Sequence, residues 1–220
     1  MKHITLIAVL FAFSISSWAQ ARMQLAFTAS PSINWMSTSS PNVNSESAVL
    51  GYDFGISGDI FFSENEHYSL LTGVQIINTG GKIGYRPGNN FQFSGYNVTS
   101  GSEIKYRIRY IEVPMSIKLK TNEFHRLYYW GLFGLSGMIN IGAKGDASDG
   151  AFRKANISDE VNMFNLAMNV GAGVDFDLGA NNSISAGLIF QNGLTDVTTD
   201  NAFADKTIVN SLKLRLALIF

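Results

Sequence analysis

Residues 207–220 read TIVNSLKLRLALIF. The even positions carry Ile208, Leu212, Leu214, Leu216, Leu218 and Phe220; the odd positions include Ser211, Lys213, Arg215 and Ala217. A period of two is that of a β-strand with one apolar and one polar face. Such strands recur upstream. Residues 48–62 set Leu50, Tyr52, Phe54, Ile56 and Ile60 against Gly51, Asp53, Gly55, Ser57 and Asp59. Residues 161–178 set Phe164, Leu166, Met168, Val170, Val174 and Phe176 against Asn165, Asn169, Gly171, Gly173, Asp175 and Asp177.

Further strands are expected at 22–36, 67–78, 103–120, 125–142 and 183–193, making about eight. Pro31 interrupts the first, so a bulge or a missing ladder bond is expected there. Strand 103–120 changes phase: Ile104, Tyr106 and Ile108 are apolar at even positions, whereas Ile111, Val113, Met115, Ile117 and Leu119 are apolar at odd ones. One extra residue near Tyr110, a β-bulge, reconciles the halves. The facing of 125–142 is ambiguous, because Trp130, Leu132 and Met138 oppose an equally apolar odd set. The connections alternate between long and short. Residues 79–102 form a long one, rich in Gly and Asn, as do residues 143–160.

The opening MKHITLIAVLFAFSISSWAQA has a basic residue, an apolar run and then small residues. This is the pattern of a secretory signal peptide, with cleavage expected after Ala19 or Ala21 and one domain over 22–220. No later apolar run reaches the ~20 residues of a spanning helix. Without Lys2 the balance is 15 basic against 17 acidic residues, which gives no footprint for a nucleic-acid partner. Charged residues make up only 15% of the chain, low beside the ~25% of soluble domains. Cysteine is absent, so disulfides contribute nothing to stability.

A soluble barrel hides its apolar face; a membrane barrel shows it to lipid. The polar face here is crowded with Gly, Ser, Asn and Ala and has few charges, which suits a narrow interior. Trp35, Tyr52 and Tyr68 lie near strand ends, as interfacial girdles do. The expected fold is therefore all-β: a closed antiparallel up-and-down transmembrane β-barrel, since only closed barrels let strands cross a bilayer with the backbone satisfied. The expected location is the bacterial outer membrane, with its lipid and the barrel-assembly machinery as partners. Leu214, Leu216, Leu218 and Phe220 form the expected insertion signal. The inward charges are expected to pair and plug the lumen: Asp53 and Asp59 on the second strand, Arg107, Arg109, Glu112 and Lys118 on the fourth, Asp175 and Asp177 on the sixth, Lys213 and Arg215 on the eighth; for Arg107 and Asp177, near strand ends, plain hydration is the alternative.

The residues RYIEVPMSIKLK (109–120), NVGAGVDFDLG (169–179) and FQNGLTDV (190–197), together with Phe220, resemble the PorT-like outer-membrane β-barrel proteins of Bacteroidetes. The first strand departs from that pattern, with TASPSINW (28–35) where glycines are expected. The resemblance covers the chain after residue 21 and implies fold and location. The founding member is associated with type IX secretion, and the resemblance carries over no functional residue.

Enzymatic barrels usually place a His where substrate can reach it. His3 belongs to the leader; His67 and His125 each follow or occupy a short turn and read as rim residues. No enzyme activity, cofactor or metal is expected. Asp146 with Asp149, and Asp196 with Asp200 and Asp205, offer weak calcium sites at loop tips as one reading, but they lack an EF-hand pattern and read rather as solvated loop carboxylates. Tyr85, Arg86, Phe91, Phe93 and Tyr96 are candidates for a loop contact surface; the competing reading is a hairpin above the membrane with its aromatics packed on each other. The leading expectation is a structural or accessory barrel assisting an envelope or secretion machine through a protein partner, ahead of a narrow porin-like channel and an envelope hydrolase. Deleting Phe220 is expected to lower the membrane-inserted fraction without changing synthesis, as measured by fractionation and immunoblotting.

Overall fold

The computed structural model describes residues 22–39, 42–62, 65–86, 88–180, 182–199 and 206–220. The leader, Asp200 and Asp205 lie outside them. The strands are β1 (Met23–Thr38), β2 (Val43–Ser45), β3 (Val49–Phe61), β4 (Tyr68–Tyr85), β5 (Phe91–Phe93), β6 (Tyr96–Val98), β7 (Glu103–Lys120), β8 (Leu127–Ala147), β9 (Ala155–Asn156), β10 (Phe164–Gly179), β11 (Asn182–Gly193) and β12 (Thr207–Ile219). Ten share one sheet; β2 and β9 are short additions, and the other eight run antiparallel in the order β10, β11, β12, β1, β3, β4, β7, β8, with β8 returning to β10. The sheet therefore closes on itself and leaves no edge.

The closing seam joins β12 to β1, from Ala26 opposite Ile219 to Thr38 opposite Thr207. Phe220 donates its N–H to the Leu25 carbonyl and accepts the Leu25 N–H, at 2.9 and 3.2 Å, and its ring lies 5.2 Å from Phe27. Pro31, which has no N–H to give, falls where the β1–β12 ladder is interrupted between Ala29 and Ser32, with no change of register. Short turns join β3 to β4, β7 to β8 and β10 to β11; the other connections are long. In the β7–β8 turn, His125 and Arg126 both have positive φ, 51° and 66°, between the paired Phe124 and Leu127, the type I′ geometry that suits a two-residue hairpin. Short turns mark the periplasmic end and long loops the cell exterior.

Around the lower part of the barrel the outward positions are Leu, Ile, Val and Phe, exposed all round the wall, while the inward ones are Ser, Asn, Asp, Glu, Lys and Arg. Only a hydrocarbon surround makes that arrangement favourable. Higher up, the order reverses. On β7 the inward face runs Ile104, Tyr106, Ile108, Tyr110, then Glu112, Ser116 and Lys118, all buried; the outward face runs Lys105, Arg107, Arg109, then Ile111, Val113, Met115, Ile117 and Leu119. The strand keeps one facing throughout. What changes is the medium outside it, from water to lipid, and the pattern changes phase there. The bulge expected near Tyr110 in β7 is therefore corrected: the register shift lies opposite, where Arg109 pairs with Gly142 and Tyr110 with Asn140, so the extra residue is Ile141 of β8. It also settles β8: Trp130, Leu132 and Met138 point inward, and beyond Ile141 the inward set becomes Ala143, Gly145 and Ala147.

Two loop assignments change for the same reason. Residues 79–85 continue β4, and residues 143–147 continue β8, because both strands rise beyond the apolar band. Their inward side chains build a head with its own apolar core, in which Ile83, Tyr85, Phe93, Val98, Ile104, Tyr106, Phe152, Ile157 and Val197 are all buried. The hairpin β5–β6, turned at Ser94 and Gly95 with positive φ, packs into it: the Phe93 ring lies 5.9 Å from both Tyr85 and Phe152, and the Tyr85 and Tyr106 hydroxyls are 2.6 Å apart.

Carboxylates fasten the head. Asp149 accepts hydrogen bonds from the Thr99 and Ala151 N–H groups at 2.8 and 3.0 Å, tying the long β4–β7 loop to the loop after β8. Partial burial pulls the Asp149 carboxyl upward, but the backbone N–H groups of Thr99 and Ala151 and the hydroxyls of Thr99 and Ser102 outweigh it and hold it below the ordinary carboxylate range. A depressed folded-state value means that the latch stabilises the head at and above the unfolded value of ~4, and is lost as pH falls through the lower folded value. Amide exchange at Thr99 is expected to stay slow at pH 5 and to accelerate relative to its neighbours only below that range; Asp149→Asn removes the transition.

Candidate functional site: the filled lumen

The inward charges occupy two tiers, each centred on a lysine. In the upper tier Lys213 of β12 lies 3.2 Å from Asp53 of β3 and 3.3 Å from Glu112 of β7. The Asp53 oxygens make no aligned hydrogen bond, so charge holds this contact. Glu112 also accepts from Gln191 Nε2 at 2.5 Å; the same amide donates to Asn169 Oδ1 at 3.0 Å, and Asn169 donates to Ser136 Oγ at 2.6 Å. The chain of contacts crosses the lumen from β3 to β8. A void of about 30 Å³ lies among Ser30, Asp53, Glu112, Ser116, Asn169 and Lys213, the size of one or two water molecules and far short of a pore.

In the lower tier Lys118 of β7 lies 2.9 Å from Asp59 and 3.3 Å from Asp175, with Lys120 3.5 Å from Asp175. Trp130 fills the space beside it. Its indole N–H donates to Ser185 Oγ at 3.1 Å, and Lys118 and Arg215 stand 5.6 and 5.9 Å from its ring. Room for the ring comes from glycines: a Cβ at Gly173 or Gly187 would lie 2.4 or 2.3 Å from Trp130 Cζ2. Arg215 is buried but, among the described residues, has no carboxylate within ion-pairing distance; it donates to Ser185 and Ser57 hydroxyls at 3.3 and 3.2 Å.

Of the charges expected inside, Asp53, Asp59, Glu112, Lys118, Asp175, Lys213 and Arg215 are brought together. Arg109 and Arg107 are not. Both point outward, because β7 has no bulge to turn them in; Arg109 donates to Asn78 Oδ1 at 3.1 Å and Arg107 pairs with Asp146 at 2.5 Å. The expected contact surface is also dispersed. Tyr85 and Phe93 are 2% and 1% exposed in the head core, Phe91 is half-buried, and only Tyr96 and Arg86 face solvent, the latter 3.4 Å from Glu46. Asp146 and Asp196 bind loop groups: Asp146 accepts the Lys154 N–H, and Asp196 the N–H groups of Thr198 and Thr207. Sequence alternation does not single out Trp130; its signal is an aromatic facing two glycines on the next two strands of the barrel wall, and that needs the register.

These features define a class: a small, closed, eight-stranded barrel that spans a bilayer and is filled from wall to wall. The chain belongs to the family described as "Outer membrane protein beta-barrel domain", whose profile matches residues 11–199. It is a protein of the bacterial outer membrane. Among solved structures it is similar to Neisserial surface protein A, with 12% identity, 89% of this chain and 95% of that chain covered, and a TM-score of 0.51. It is also similar to Ail, the attachment invasion locus protein of Yersinia pestis (13% identity, 90% and 98% covered, TM-score 0.43), and to OprG from Pseudomonas aeruginosa (8%, 91% and 96%, 0.44). At these identities the likeness is one of fold. No curated protein matches the sequence.

Lys213→Ala leaves Asp53 and Glu112 facing each other uncompensated, and is expected to lower unfolding stability by about 3–5 kcal/mol. Adding Asp53→Asn is expected to return part of the loss, a coupling read from urea unfolding in lipid vesicles as a double-mutant cycle.

Proposed function

We propose that this protein is a non-conducting, non-enzymatic accessory barrel that holds a packed head at the outer face of the membrane for an envelope protein partner. The observation that carries this reading is double closure. At membrane level the lumen is filled by the two lysine-centred tiers and Trp130. Above the membrane the wall continues around an apolar core that includes the β5–β6 hairpin. A pore would need a continuous hydrated path, and both levels work against one. The likeness of residues 109–120 to PorT-like proteins supports placing the partner in a secretion machine. A non-enzymatic reading is supported by where the histidines stand: both lie at short turns, His67 with its backbone N–H on Asn65 Oδ1 and the His125 ring 4.4 Å from Phe124.

In planar bilayers the wild-type barrel is expected to show no steady current. Opening one seal alone, by clearing both lumen tiers with Lys118→Ala, Trp130→Ala and Lys213→Ala or by deleting residues 88–99, is expected to leave it closed, and only the combination conducts. Stable single-channel currents from the wild type would replace this reading with that of a narrow channel.

A further inference from the structure

The outward residues where the apolar band ends form register-paired rows across four strands. One row reads Phe54 of β3, Ile76 of β4, Ile111 of β7 and Ile139 of β8, paired in register. The next row, two residues or about 7 Å further along the strands, reads Tyr52, Asn78, Arg109 and Gly142. Above it Arg107 faces Lys144, and above that Lys82 faces Lys105, which faces Asp146. Like charges directly opposed on a sheet repel. Relief is partial: Asp146 pairs with Arg107 at 2.5 Å, and Glu103 lies 3.7 Å from Lys82. Among the described residues Arg109 is bonded to a neutral amide, and neither it nor Lys105 nor Lys144 has a carboxylate within ion-pairing distance. Five basic side chains thus meet two acidic ones on one face of a chain whose overall charge is close to neutral.

The patch borders an open cleft of about 630 Å³, within the range of ligand sites, whose other side is Leu50 and Tyr52. Gly142 leaves space beside Arg109: a Cβ there would meet nothing within 4 Å.

We propose that this face docks a phosphorylated glycolipid of the membrane's outer leaflet, its phosphates held by Arg109, Arg107 and Lys144 and its acyl chains lying on the row of Phe54, Ile76, Ile111 and Ile139. The commitment to a lipid follows from position. Arg109 stands one row beyond a lipid-facing apolar row, and Arg107 and Lys144 two rows beyond it, on the side of the long loops, where a phosphate group joined to acyl chains places its charge. Guanidinium groups bind phosphate oxygens by paired, charge-assisted hydrogen bonds. A bound phosphate also removes the repulsion between Arg107 and Lys144 that the protein alone leaves standing.

The test uses the refolded barrel in phosphatidylcholine nanodiscs, with lipid retention read by native mass spectrometry. The probes are lipid A, the same lipid stripped of its phosphates, and inorganic phosphate as competitor. Wild type is expected to retain lipid A at least ~10-fold better than the stripped lipid. The combined variant Arg107→Gln, Arg109→Gln, Lys144→Gln is expected to lose that preference, whereas Arg153→Gln, an exposed cation elsewhere in the head, keeps it. Equal retention of both lipids, or an unchanged preference in the triple variant, overturns the proposal. Displacement by millimolar phosphate assigns the site to free phosphate and overturns it too. A phosphorus–nitrogen distance measured by solid-state NMR on the wild type needs no variant to fold: lipid phosphorus within ~4–5 Å of the Arg109 guanidinium is expected, and no such contact refutes the site.

Discussion

A backbone that crosses hydrocarbon must satisfy every N–H and C=O within itself, and this chain does so by closing eight strands into one ladder. The rest follows from that closure. Eight strands enclose a space only wide enough for side chains. Whatever faces inward is then desolvated, and any charge placed there needs a partner within reach. Lys213 and Lys118 meet the requirement in the same way, each as a point charge with two carboxylates drawn from different strands. Lysine suits this role better than arginine, because an ammonium can be approached from several sides while a guanidinium offers a planar fork. Arg215, the inward arginine of β12, instead uses its fork on two hydroxyls and its neighbourhood on Trp130.

The same closure explains why the wall has two chemistries. Below its upper rim of isoleucines the barrel is apolar outside and polar inside; above it the polarity is exchanged, although the strands run on without interruption. A strand in lipid and a strand in water need opposite faces apolar. β7 serves in both by switching which parity carries the apolar residues between Tyr110 and Ile111, and β8 by adding Ile141. The level of the exchange is a physical record of where hydrocarbon ends, written into the residue types themselves.

That record was legible in the sequence as a change of phase, and it was misread. A phase change in an amphipathic strand has two causes: an inserted residue that rotates the strand, or a change of medium that reverses what each face needs. An inserted residue would carry Arg107 and Arg109 into the lumen; a change of medium keeps them outside and lets β4 run on past Asn78. The parity of β7 alone separates Arg109 from Lys118, given that no residue is inserted between them. What could be read directly was whatever depended on alternation within one medium: the eight strands, their antiparallel order, and the inward placing of Asp53, Asp59, Asp175 and Lys213. What could not be read depended on register. The pocket that Gly173 and Gly187 make for Trp130 joins three strands and exists only once they are aligned. Burial of Phe93 likewise depends on Phe152, which comes from another loop.

The two fillings divide the labour of stability differently. In the lumen each tier depends on a few groups in fixed positions, so that loss of one lysine strands two carboxylates. The head core is apolar and broad, and a change of one side chain there removes contacts without leaving a charge behind. Substitution is therefore far more constrained at the inward positions of the lower barrel than in the head. The outward cluster of Arg109, Arg107 and Lys144 belongs to neither filling. No fold requirement places like charges opposite each other on a water-facing sheet, where neutral side chains would serve the ladder better. Their cost to the ladder is the reason to seek their purpose at the membrane surface, where they stand.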